Sequence, residues 1–200
     1  LLSVLMGGQC DIDLIQGCVL IDVDVTALHA KFPGPRYGRH GIRQRLDVWD
    51  RPLVGAVIKP KIGLTPQQTA DTCRRLAEGG VDFIKDDELI GNQPWSPLGQ
   101  RVEAVARALQ GTNVIYAPCV TGDGSEAWKQ ARTAREAGAG AVHLNLWCGL
   151  GTYLDVRRHV DLPIFFQKSG DKVWTTGPFA IDFPVLCHLA HLVGCDFAHV

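Results

Sequence analysis

An α/β fold with a parallel sheet is what this chain predicts, on three observations. Short apolar runs alternate with helical patterns, the helical stretches carry their own start and stop signals, and no phosphate-binding glycine motif follows the first run. From about Pro52 onward the unit recurs at a period of roughly thirty residues. The strand candidates are Leu53–Lys59, Val81–Asp87, Asn113–Val120, Ala141–Leu146, Pro163–Gln167 and Asp196–Val200. Between them, Thr65–Glu78 and Glu126–Ala137 space Ala, Leu, Cys and Trp at helical intervals with polar residues in the gaps. Thr65 is placed to cap the first helix, with Pro66 at its first position, Gln68 completing a capping box and Gly79-Gly80 ending it. Ser96-Pro97 repeats the start signal.

Six such units fit either a doubly wound sheet or an eight-stranded barrel cut after its sixth strand. The lack of a GxGxxG or Walker loop removes the usual sign of a nucleotide-binding sheet. That favours a parallel (β/α)8 TIM barrel, truncated after about six strands. The segment Ala30–Asp47, with Phe32-Pro33-Gly34-Pro35 and a Gly- and Arg-rich Tyr37–Arg45, reads as a turn-laden connector into the barrel. Residues 1–46 would then close a preceding domain and its linker, and residues 47–200 would form the partial barrel.

With 46% hydrophobic and 20% charged residues and a net charge of −1, the chain has the composition of an ordinary globular protein. Its Lys and Arg are scattered, which argues against nucleic-acid partners and a polybasic membrane patch. No stretch approaches the roughly 20 apolar residues of a membrane span. The seven cysteines form no CxxC pair and read as free thiols of a reducing cytoplasm. The start, without an initiator Met or a basic n-region, and the end, inside a strand-like run, both read as cut from a longer chain.

Catalytic groups of a barrel sit at the C-terminal ends of its strands. The first run ends Val57-Ile58-Lys59-Pro60-Lys61, where period-two spacing puts both lysines on one face. In the second, Lys85 and Asp87 share a face and Glu88 follows at the tip. On a solvated strand end such charges would simply pair. Packed at a barrel mouth, carboxylates raise one another's pKa, and hard oxygen donors in that number suit Mg²⁺. Lys85 as an ammonium cannot be a ligand: it repels the ion, serves as a Schiff-base nucleophile, or has been converted into an acid. His188 and His191, three apart on a helix, read as packing residues, as do the scattered tryptophans.

Taken together, Gly55–Leu64 (GAVIKPKIGL), Gly79–Glu88 (GGVDFIKDDE) and Asn92-Gln93-Pro94 resemble the first two barrel strands of the RuBisCO large-chain superfamily. Phe32–Leu46 is similar to that family's linker, and Gly194–His199 to its sixth strand. The resemblance implies that residues 1–46 end an α+β N-terminal domain. It also implies that CO₂ carbamylates Lys85, which then joins Asp87 and Glu88 around one Mg²⁺. Lys59 would handle protons on an enediolate, Lys61 would support it, and His199 would contact substrate. Gln167 and Lys168 stand at the substrate-facing end of the fifth strand, where carboxylases carry His-Arg. Further departures are Ala117 and its neighbours where an Asn is expected, Asn145 for an Asp, and Gly7-Gly8 where a neighbouring subunit would supply an Asn.

With the metal cluster intact and the mouth altered, the resemblance points to a RuBisCO-like protein of the form IV type. Such a lyase or isomerase would enolise, isomerise, decarboxylate or transcarboxylate a phosphorylated keto-sugar or keto-acid, as a cytoplasmic homodimer with a shared active site. A genuine ribulose-1,5-bisphosphate carboxylase/oxygenase large chain, a Schiff-base aldolase and a non-catalytic relative stay open as alternatives.

Overall fold

The computed structural model describes residues 1–199. Val200, the expected end of the last strand, lies outside the described residues. Eight strands alternate with helices: β1 (Cys18–Leu20), β2 (Gly55–Val57), β3 (Phe83–Lys85), β4 (Ile115–Ala117), β5 (Val142–Asn145), β6 (Ile164–Gln167), β7 (Phe179–Ile181) and β8 (Phe197–Ala198). Among the described residues every strand pairing is parallel, and two ladders, β2–β3–β4 and β5–β6–β8, carry the main sheet. His143 N–H donates to Pro118 O and Val120 N–H to His143 O, each at 3.0 Å, and these bonds join the two ladders into one six-stranded sheet.

That sheet curls. Phe83 on β3, Phe165 on β6 and Phe197 on β8 meet with ring centroids 5.1–5.2 Å apart, although β3 neighbours neither of the other two strands. Rings from opposite sides of a sheet can touch only across the inside of a barrel. Gly55 of β2 makes room for them, since a Cβ there would lie 2.5 Å from the Phe83 ring. The fold is therefore a partial parallel barrel.

Helices α3 (Pro66–Glu78), α4 (Leu98–Ala108), α5 (Ser125–Glu136), α6 (Leu150–His159) and α8 (Phe183–Leu192) cover the outside. Thr65 and Gln68 form the expected capping box with Pro66 in the first turn of α3. Ser96 does not cap α4; Asn92 Oδ1 instead accepts from Leu98 N–H at 2.9 Å. Two short helices, α1 (Leu2–Met6) and α7 (Lys172–Thr175), complete the α-helical set with α2 (Gly38–Leu46).

The expected connector is itself helical: α2 spans Gly38–Leu46. Its glycines and arginines are weak reasons to form a helix, but Ile42 and Leu46, one turn apart, are buried against Ile115, Ala117 and Ala141. Tertiary packing overrides local propensity here. Strands β1 and β7, which the alternation did not suggest, pair with each other at Cys18↔Phe179 through Leu20↔Ile181. Among the described residues no helix is long and apolar enough to cross a membrane, and all seven cysteines are free.

Candidate active site

Strand ladders in this barrel stop early. β2 ends at Val57 and β3 at Lys85, so Lys59, Lys61, Asp87 and Glu88 sit on the turns that follow. The period-two placement of Lys59 beside Lys61 therefore fails. Lys59 turns to Asp87 and bonds its Oδ2, while Lys61 is exposed in the loop.

Lys85 is the centre of the mouth. Its side chain is 2% exposed, its Nζ donates to Asp86 O at 3.0 Å, and Glu88 Oε2 lies 3.7 Å away. Burial pushes the lysine below its ordinary range, against the pull of Glu88 and Asp87. For Glu88, burial acts upward but is outweighed by hydrogen bonding, chiefly from Ser169, so its carboxyl stays below the usual value. Gln167 Nε2 bridges Glu88 Oε2 at 3.2 Å and Ser169 Oγ at 2.6 Å. Gln167 Oε1 is buried without a hydrogen-bond partner.

The three consecutive carboxylates have separate fates. Asp86 faces away from the mouth, accepting from Arg101 Nε (3.1 Å), the Tyr116 hydroxyl (2.7 Å) and Cys119 N–H (3.1 Å). It is a structural anchor. Only Asp87 and Glu88 remain as anionic donors beside Lys85. Asn145 braces a loop: its Oδ1 accepts from Trp147 N–H at 2.9 Å and its Nδ2 donates to Ser169 O at 3.3 Å. Trp147, 55% exposed, meets Trp174 edge-on, and a Cβ at Gly170 would lie 2.2 Å from its indole nitrogen.

Of the two residues expected at the end of the fifth barrel strand, the structure brings only Gln167 to the mouth. Lys168 points outward, its Nζ 4.6 Å from the centroid of the Phe183 ring on α8. His199, at the end of β8, lines a cavity of about 310 Å³ together with Lys85, Val57 and Phe165. No sequence motif picks out Ser169, His143 or Thr121, whose Oγ1 accepts from Asn145 N–H at 3.1 Å. Ser169 and Thr121 carry no motif, and His143 sits in an apolar run where only its inward parity with Asn145 marks it.

Among the described residues no group of three or more His, Cys, Asp or Glu is arranged to hold a metal. A divalent ion fits this donor set when Lys85 supplies the third anionic group, since a carbamate has oxygen donors and an ammonium has none. The unpartnered Gln167 Oε1 beside Glu88 fits a mouth built to receive a further donor.

Parallel strands curled into a barrel, with a buried lysine between carboxylates at their C-terminal ends, define an α/β barrel of the enzyme-bearing kind. Residues 39–200 match the family described as "Ribulose bisphosphate carboxylase large chain, catalytic domain", and the chain belongs to that family. It is 33% identical to the 3-oxo-isoapionate-4-phosphate transcarboxylase/hydrolase of Xanthobacter autotrophicus, over all of this chain and 50% of that protein. It is 40% identical to the 2,3-diketo-5-methylthiopentyl-1-phosphate enolase of Microcystis aeruginosa, over 67% of this chain and 37% of that one. A rubisco-like protein from Burkholderia fungorum superposes with a TM-score of 0.90 at 31% identity, covering 96% of this chain and 50% of that one. The chain spans about half the length of the curated relatives it matches.

Proposed function

We propose that the protein is a RuBisCO-like enzyme that removes a proton next to a ketone of a phosphorylated keto-acid or keto-sugar, with Mg²⁺ held by carbamylated Lys85, Asp87 and Glu88. The observation that carries this reading is a buried lysine, its ammonium disfavoured by that burial, beside two carboxylates at the mouth of a parallel barrel. Relatives named as a transcarboxylase/hydrolase and an enolase of phosphorylated keto compounds support the substrate class.

The chain's own residues supply the rest. Burial disfavours the Lys85 ammonium and so favours the free amine, whose lone pair forms a C–N bond to CO₂ as one C–O π bond opens onto oxygen. The amine proton leaves to solvent. Mg²⁺ bound there would supply Lewis-acid polarisation of the substrate ketone. Lys59, half-exposed and bonded to Asp87, would move the substrate proton. Gln167, carrying an amide, cannot transfer protons as a histidine can. It holds Glu88, and its Oε1 is free to accept from a substrate hydroxyl. A homodimer with a shared active site belongs to the same reading, and light scattering on the full-length protein tests it.

The deciding experiment follows loss of the substrate α-proton in D₂O by NMR, using the full-length protein with phosphorylated 3-keto-acids and 2,3-diketo phosphates. The expected outcome is exchange that needs both Mg²⁺ and bicarbonate and disappears in Lys85→Met. Exchange without either, with Lys85 trapped by borohydride, would establish the aldolase instead.

A further inference from the structure

Inside the barrel, below the mouth, His143 carries an imidazole that the fold leaves unpaired. Its side chain is fully buried, and neither ring nitrogen has a hydrogen-bond partner. Its backbone is committed on both sides, to Pro118 O and Val120 N, so β5 fixes where the ring sits. Phe165 packs edge-on to it at 6.4 Å, an apolar contact that satisfies no nitrogen. Native folds rarely leave such a group unexplained.

Strand register puts the ring near Lys85. Lys85 pairs with Ala117 on β4, and Cys119, two residues further on the same face, pairs with His143 on β5. Between them on the middle strand stand Ala117, which presents only a methyl group, and Cys119, whose thiol is turned to Thr121 Oγ1 at 3.3 Å and Glu88 O at 3.6 Å. Asp86 O, to which Lys85 Nζ donates at 3.0 Å, lies near the ring, outside hydrogen-bond geometry. An imidazole has at least one N–H to give. Lys85 Nζ is turned to Asp86 O, and the ring N–H finds no acceptor among the described residues. A carbamate on Lys85 brings acceptor oxygens into the same space.

We propose that His143 is a positioning residue for the modified lysine, its ring N–H donating to an oxygen of the Lys85 carbamate and holding it in the orientation that faces Asp87 and Glu88. The inference rests on the carbamate reading above and adds a residue that the metal cluster does not contain. His143 does not touch substrate.

The test measures the carbamate itself. On the full-length protein, ¹³C NMR with ¹³C-bicarbonate and Mg²⁺ titrates the Lys85 carbamate in the native enzyme, His143→Leu and His143→Gln. Loss of a hydrogen bond to a charged group predicts that His143→Leu needs on the order of 10-fold more CO₂ for half-saturation. His143→Gln, which keeps a donor, recovers most of it. Equal saturation of the native enzyme and His143→Leu within about twofold overturns the inference while leaving the carbamate reading intact. No carbamate in the native enzyme at saturating bicarbonate overturns both. A measurement that needs no variant is the ¹⁵N spectrum of His143 with and without bicarbonate. A downfield shift of its N–H is expected, and an unchanged resonance in enzyme that does carry the carbamate counts against the bond.

Discussion

Burial separates the two lysines that the neighbouring strands β2 and β3 bring to the mouth: the Lys85 side chain is 2% exposed and that of Lys59 55%. They should fail differently. Lys59→Met leaves the fold intact and is expected to lower proton exchange by roughly 10²–10⁴-fold, the usual worth of a positioned acid–base group. Thermal melting checks the first half and NMR exchange the second, and an unfolded variant would deny Lys59 its peripheral place. Lys168 offers the contrast. Its ammonium lies over Phe183, so Lys168→Ala should cost about 0.5–1 kcal/mol of stability through the lost cation–π contact. Substrate KM should not move; a several-fold rise would return Lys168 to the substrate site. The run Lys85-Asp86-Asp87-Glu88 was legible as a cluster because charge density at a strand end shows in any sequence. Which carboxylate points where was not. Asp86 is claimed by Arg101 and Tyr116, residues 15 and 30 positions away, and no local pattern reports that.

Two strands begin with the same device. Asp82, opening β3, accepts from Arg51 through both oxygens at 2.7 Å and from Val54 N–H at 2.7 Å. Asp196, opening β8, pairs with Arg157 and accepts from Ile164 N–H at 2.8 Å, with Tyr37 and Gly38 N–H groups on its other oxygen. Each carboxylate thus ties its strand to the neighbouring one. Their surroundings differ, because the Arg157 and Asp196 side chains are 1% and 0% exposed while that of Arg51 is 46% exposed. Removing one partner of a fully buried pair strands the other, so Asp196→Ala should cost about 3–5 kcal/mol in denaturant unfolding. Asp82→Ala should cost clearly less, and the reverse order would refute this account.

Asp82 also gives the barrel an acid limb. The hydrogen bonds from Arg51 hold its carboxyl below the ordinary value of about 3.9, with burial acting the other way. Its stabilisation is therefore complete above that unfolded value and is lost as the pH falls through the lower, folded one. Asp82→Asn should flatten stability against pH below about 4 and change its slope little at neutral pH. The strand-opening Asp-Phe pairs were visible in GGVDF and VGCDF, yet their arginines lie in unrelated places. The helix α2 was hidden for a like reason, since the buried residues it packs against, Ile115, Ala117 and Ala141, lie far along the chain.

At the level of the whole molecule, the alternation of strand and helix was legible in the sequence, but it did not by itself choose a barrel over a doubly wound sheet. Among the described residues β2 pairs only with β3 and β8 only with β6, so the curled sheet presents two unpaired edges. The cavity between them is lined by Leu53, Val57, Phe83, Phe165 and Phe197, side chains that a complete barrel would bury. Unpaired parallel edges beside exposed apolar surface favour association with other chains. The 200-residue chain produced alone should therefore bind an apolar dye such as ANS and grow in scattering mass with concentration. The full-length protein, with further chain to cover those edges, should bind less dye and hold a fixed mass. Gly55→Ala tests the curl itself. Its methyl would press on Phe83, so the full-length variant should lose about 1–3 kcal/mol, and Gly55→Ala with Phe83→Leu should recover part of that loss. Additive losses in the double variant would mean that Gly55 and Phe83 do not touch where β2 pairs with β3.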